Sequence, residues 1–148
     1  MIKIIATLLT IFAFSSSHAK KVNVGIILGF TGPIESLTPD MAAGAELAFS
    51  EASNSGKLLN GSKINVIRAD STCIDSAAAS SAAEGLISQG VTAIMGADCS
   101  GVTGAILSNV AVPNGVPMIS PSATSPGLTT AEDNGLFFRT APSDARGG

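Results

Sequence analysis

The 148-residue chain contains no tryptophan and no tyrosine, and its only histidine is His18. A Ser-His-Asp triad, a Cys-His pair and any histidine-dependent zinc site are thereby excluded from residues 20–148 acting alone. Charge is sparse as well: charged residues make up 13% of the chain and form no basic cluster, which argues against nucleic acid and anionic membrane surfaces as partners. Catalytic motifs are missing in turn. Gly96 and Gly101 have the four-residue gap of a phosphate loop, but Val102 stands where that loop needs its lysine. Gly29-Phe30-Thr31-Gly32 lacks the Gly-x-Gly-x-x-Gly spacing of a dinucleotide site, and no Gly-x-Ser-x-Gly nucleophile elbow occurs. These gaps turn the reading away from an enzyme and away from a bound cofactor or metal.

What is present begins with an address. Lys3 supplies a positive n-region, residues 4–14 an apolar h-region, and Ser17-His18-Ala19 a small-x-small cleavage site. This is the pattern of a secretory signal peptide over residues 1–19, cleaved after Ala19. A membrane anchor needs about twenty apolar residues, more than this run offers. Residues 20–148 then make one domain, and loss of Lys3 leaves seven basic and eleven acidic side chains, a net charge of −4. Cys73 and Cys99 both lie in the exported part, where thiols pair, so a Cys73–Cys99 bridge is the default expectation. A reactive thiol pair, the competing reading, would favour Cys-x-x-Cys spacing, which is absent.

Residues 22–28 form a β-branched run stopped by Gly29-Phe30-Thr31-Gly32-Pro33, the first strand. Asp40 can cap a helix with Met41, Ala45, Leu47, Ala48, Phe49 and Ala52 on its apolar face, ended by Gly56. Residues 64–67 make a second strand. Asp75 caps the next helix, with Ala78, Ala82, Ala83, Leu86 and Ile87 inward, until Gly90. Residues 91–95 are the third strand, and Ser100 can cap a third helix ended at Pro113-Asn114-Gly115. Residues 116–119 form the fourth strand, irregular at Pro117. Residues 136–140 are a further extended piece, and Pro142-Ser143-Asp144 starts a helix. The order βαβαβαβ predicts a parallel, doubly wound α/β sheet with helices on both faces.

Two polar clusters, residues 97–103 and 120–126, follow the third and fourth strands, where open α/β sheets bind ligands. Ser100 presents a hydroxyl beside the free N–H groups of a helix start, which suits a carboxylate. Ser122 and Thr124 offer a carbonyl and a hydroxyl to the donors of an ammonium group. The plainer reading makes Ser100 only an N-cap and residues 122–126 only a turn. Glu132-Asp133, the one adjacent acidic pair in this stretch, reads as part of a solvated turn with Asn134-Gly135.

Together, the leader, Gly29-Phe30-Thr31-Gly32-Pro33, the spaced Cys73 and Cys99, Cys99-Ser100, Ser120-Pro121-Ser122-Ala123-Thr124-Ser125-Pro126 and Phe138-Arg139-Thr140 resemble the leucine/isoleucine/valine-binding family of periplasmic solute-binding proteins. The resemblance implies a type 1 fold of two doubly wound lobes that close on a ligand, of which residues 20–148 match an incomplete N-terminal lobe. It implies a periplasmic, non-enzymatic protein that takes an amino acid to an inner-membrane ABC permease, with no membrane insertion once the leader is removed. By the same resemblance Cys73 and Cys99 form the family's disulfide, and Ser100 holds the ligand α-carboxylate. Thr124 contacts the same backbone moiety, the Ser122 carbonyl meets the ammonium group, and Ala123 lies in the same ligand-binding stretch. Some relatives carry a tryptophan in the loop after the first strand, where this chain has Glu35-Ser36-Leu37-Thr38. Amides, urea or short carboxylates are the alternative ligands, a ligand-sensing receptor domain is the alternative setting, and a doubly wound hydrolase is the alternative from a different class, since fold alone does not fix function.

Overall fold

A computed structural model of the chain describes residues 20–146. The leader and its cleavage point at Ala19 lie outside the described residues. Five parallel strands form one sheet: β1 (Lys21–Leu28), β2 (Lys63–Asp70), β3 (Val91–Gly96), β4 (Met118–Ser120) and β5 (Phe137–Arg139), in the spatial order β2-β1-β3-β4-β5. The order reverses between β1 and β3, which makes their carboxyl ends the topological switch point where doubly wound sheets place ligands.

Alternation along β1 divides the core. Ile26 and Leu28 face helix α1 (Thr38–Asn54) with Ala42, Met41 and Phe49, whereas Ile27 faces the opposite side with Leu86 and Ile106. That side is covered by α2 (Ser76–Ser88) and α3 (Ser100–Ile106). Gly25 lets α2 come close, because a Cβ there would lie 2.7 Å from Leu86 Cδ1. On the α1 side the cover stops short: Ile119 of β4 and Phe138 of β5, paired across the ladder, are 44% and 57% exposed.

Several expectations shift by a turn or a face. Helix α1 starts at Thr38 rather than after Asp40. Leu37 is its N-cap without any side-chain hydrogen bond, Pro39 pre-sets the first turn, and the buried Thr38 hydroxyl donates to the Gly29 carbonyl at 3.1 Å. Leu47 and Ala48, expected inward, are exposed, and Ser53 is buried instead. In α2 the Asp75 cap forms as expected, accepting from the N–H groups of Ala77 and Ala78, both at 2.9 Å. The buried face there runs through Ala79, Ala83 and Leu86, with Ala78 exposed. The helix begun by α3 continues through a π-turn (Leu107–Ala111) into α4 (Val112–Asn114), which holds Pro113 and ends at left-handed Gly115. The wider turn accommodates the proline ring, which in a regular α-helix meets the carbonyl four residues earlier. Strand β4 starts only at Met118, after Pro117.

The end of β3 has a glycine that no other residue replaces. Gly96 has φ +130, and a Cβ there would sit 2.0 Å from the Ile27 carbonyl oxygen of β1.

Candidate functional site

The carboxyl ends of β1, β3 and β4 meet in one place. After β3 the chain runs through Ala97 and Asp98, both buried, to Cys99, which is bonded to Cys73 across 26 residues with a Cα–Cα distance of 5.2 Å. Cys99 has extended dihedrals and is the N-cap of α3, without a side-chain cap bond. Ser100 is therefore not the cap expected from the sequence. Its Oγ reaches across to the loop after β4 and accepts the N–H groups of Thr124 and Ser125, both at 3.1 Å. A serine hydroxyl has two lone pairs and one proton. With both lone pairs engaged, the proton remains to be given, so Ser100 is a donor toward anything bound beside it. The first-turn N–H groups of Gly101 and Val102, which have no partner within a helix, point the same way along the axis.

The two polar clusters singled out from the sequence are thus in direct contact. Ser122 donates its hydroxyl to the Asp98 carbonyl at 3.0 Å, while its own carbonyl accepts nothing from the described residues. Ala123 is buried; its N–H goes to Ser120 Oγ at 3.0 Å and its carbonyl accepts from Arg139 Nη1 at 3.3 Å. Thr124 donates its hydroxyl to Asp144 Oδ2 at 2.9 Å, and its carbonyl accepts the Asp144 N–H at 3.0 Å. With its proton engaged by Asp144, the Thr124 hydroxyl has only lone pairs left to offer. One hydroxyl of the site gives and the other receives.

Three supporting residues lie in segments that the sequence singles out, although none of them is assigned a role there. Asp98, nearly fully buried, accepts from Gly29 N at 2.8 Å, Cys99 N at 2.9 Å and Ser71 Oγ at 3.3 Å. Ser120 is buried between Ala97, whose carbonyl takes its proton, and the Ala123 N–H. Arg139 of β5 clamps the far side of the loop, donating to the carbonyls of Ala123 and Ser125 (2.9 Å for the latter) and to the Thr129 hydroxyl. An acidic residue directly after an apolar strand was the one available signal for Asp98; its partners are too distant in sequence to read.

The loop after β1 is held from β2. Asp70 accepts the Thr31 hydroxyl at 2.6 Å and the Thr72 N–H at 2.8 Å. Burial pushes this carboxyl up, but the hydrogen bonds from the Thr31 hydroxyl and from the N–H groups of Thr72, Thr31 and Phe30 outweigh it, and its pKa is lowered overall. A lowered folded pKa stabilises the loop above the unfolded carboxyl's range, near pH 4, and the contribution is lost as pH falls through the folded value. The amide resonances of Thr31 and Thr72 are expected to titrate with a midpoint below 3.8, the ordinary value, and to stop titrating in Asp70→Asn. A midpoint at or above that value contradicts the assignment. Further out, Arg68 forms a two-pronged pair with Glu46 at 2.6 and 2.8 Å and lies 5.5 Å from the centre of the Phe30 ring.

An apolar hollow of about 520 Å³, lined by Val22, Val24, Leu58, Leu59 and Ile64 with Lys20 at its edge, lies at the opposite, amino end of the strands. It shares no residue with the polar site. Among the described residues no group of three or more His, Cys, Asp or Glu could hold a metal, and no helix is long and apolar enough to cross a membrane.

The chain is similar to solute-binding proteins. The Leu/Ile/Val-binding protein BraC3 of Rhizobium johnstonii is 32% identical over 124 residues, which cover 84% of this chain and 33% of that one. The branched-chain amino acid transporter substrate-binding protein LivJ of Streptococcus pneumoniae, solved with isoleucine, superposes with a TM-score of 0.74 at 33% identity, over 85% of this chain and 35% of that one. An ABC transporter solute-binding protein of Rhodopseudomonas palustris, solved with 3,4-dihydroxybenzoic acid, matches at 25% identity and a TM-score of 0.70, over 84% and 33% of the two chains. The chain thus spans about a third of the length of these relatives. The profile of the periplasmic binding protein family matches residues 21–148, and the chain belongs to that family.

Proposed function

We propose that residues 20–148 are part of the N-terminal lobe of an extracytoplasmic solute-binding protein that carries an amino acid to an inner-membrane ABC permease and performs no covalent chemistry on it. Export would follow the leader, with cleavage after Ala19, into a periplasmic compartment that permits the Cys73–Cys99 bond. A second lobe, outside these residues, would close over the ligand.

The observation that carries the reading is the opposite polarity of two neighbouring hydroxyls. Ser100 and the N–H groups at the start of α3 give hydrogen bonds, which suits an α-carboxylate; Thr124 and the Ser122 carbonyl receive them, which suits an α-ammonium group. Ala123 lies between the two acceptors and holds their loop. A second reading, an aromatic carboxylate, is favoured by the dihydroxybenzoate-bound relative. Such a ligand satisfies Ser100 but brings no donor next to its carboxylate for Thr124.

Calorimetric titration of the protein as its gene encodes it, with the common L-amino acids and with hydroxybenzoates, separates the two. Hydrogen bonds to charged groups contribute about 1.5–3 kcal/mol, roughly tenfold to a hundredfold in affinity. Ser100→Ala is expected to weaken every ligand by that factor. Thr124→Val is expected to do so for amino acids while leaving a benzoate within about twofold, because only the former has a donor facing Thr124. Binding of hydroxybenzoates alone would establish the second reading, and binding of neither class would sink both.

A further inference from the structure

We propose that Asp98 is a positioning residue for the ligand site, whose carboxylate sets Ser100 in register with the loop after β1. The proposal rests on the reading of Ser100 given above. Asp98 is 4% exposed, and four strand ends converge on it: Gly29 after β1 and Ser71 after β2 bond its side chain, Cys99 after β3 bonds it through the adjacent N–H, and Ser122 after β4 bonds its carbonyl. No lysine or arginine among the described residues is paired with it. Its side-chain oxygens are held by neutral donors alone, so the placement of those donors is tightly constrained, since a buried polar group without its hydrogen bonds is disfavoured. The packing there is close: a Cβ on Gly29 would lie 3.2 Å from Cys73 Cβ and 3.4 Å from Asp98 Oδ2.

Ser100 is two residues further on. For its Oγ to take the N–H groups of both Thr124 and Ser125, the peptides between Asp98 and Ser100 must hold one orientation, and the Cys99 N–H to Asp98 Oδ1 bond holds it. The same carboxylate anchors Gly29, where the β1 loop departs toward Thr31 and Thr38. Asp98 touches no ligand in this arrangement; it acts through the serine.

A double-mutant cycle in the protein as its gene encodes it reads this directly, with Asp98→Asn, Ser100→Ala and the pair titrated against the common L-amino acids, and folding checked by a thermal melt. Asparagine keeps the shape but puts an amide N–H₂ against one of the backbone donors. Asp98→Asn is expected to weaken binding about tenfold with Ser100 present and less than about twofold in the Ser100→Ala background, a coupling of the size found within one hydrogen-bonded network. Equal losses in both backgrounds would mean that Asp98 serves the fold alone, and would overturn the proposal. Should Asp98→Asn not fold, Ser71→Ala, which leaves both N–H partners in place, is read in the same cycle with an expected loss of roughly two- to threefold that vanishes without Ser100; a loss that persists overturns the proposal equally. If the unaltered protein binds no amino acid, the reading of the site fails and this inference with it. Binding with additive losses removes the inference only.

Discussion

Gly96→Ala is expected to abolish cooperative folding or to lower its midpoint by well over ten degrees. The new Cβ would be placed 2.0 Å from the Ile27 carbonyl oxygen and 2.9 Å from its Cγ2, and the first of these is a backbone atom of β1, the interior strand paired beside β3. Relief would require β1 and β3 to part, although they pair from Asn23 and Val91 to Ile27 and Gly96. The φ of +130 adds a conformational penalty for any residue with a Cβ. Together these amount to on the order of 4 kcal/mol or more, a large part of the 5–15 kcal/mol by which domains are stable. Circular dichroism during heating should reveal no sigmoidal transition, or one lowered by well over ten degrees. A variant that melts within a few degrees of the unaltered protein would contradict the strand contact described.

The second large effect is loss of the Cys73–Cys99 bond. It spans 26 residues that include β3 and all of α2, and the chain-entropy model for a loop of that length gives about 3–4 kcal/mol. The native backbone offsets part of this, because Thr72 and Cys73 are both left-handed, at φ 58 and 70, and such non-glycine residues cost roughly 1 kcal/mol each. Thr72 is kept there by other bonds as well, its N–H to Asp70 and its Oγ1 accepting from Asp75 N. We therefore expect the Cys73→Ser, Cys99→Ser double variant to lose about 3 kcal/mol in urea unfolding. A loss below about 1 kcal/mol would mean that the bridge closes a loop already ordered in the unfolded chain.

Sequence reading performed best where the physics is local. Asp75 caps α2 because its side chain needs only the N–H groups of Ala77 and Ala78, two and three residues on. The β-branched run of residues 22–28, stopped at Gly29, marked the first strand, and the βαβαβαβ order marked the parallel sheet. It failed where a distant partner decides. Helix α1 starts at Thr38 because that hydroxyl is bonded to Gly29, and Asp40, with the better capping side chain, is left in the first turn. Leu47 fits the apolar period of α1, but its side of the helix faces solvent. Ser100 has the residue type and place of a cap; its oxygen is drawn away by two N–H groups 24 and 25 residues later. Spacing brought out the two clusters of the site. The polarity of Ser100 and Thr124 depends on which partner holds each proton, and that is a property of the fold.

Arg139 has a consequence for dividing this molecule into parts. Both polar loops follow β3 and β4, yet the second is secured from β5, through the guanidinium bonds to Ala123, Ser125 and Thr129 and through the Thr140 N–H to the Ser120 carbonyl at 3.0 Å. The site is consequently not a portable strand-loop-helix module. Any graft or minimal fragment meant to keep it must run from β1 through Thr140, and must reach Asp144 to keep the polarity of Thr124.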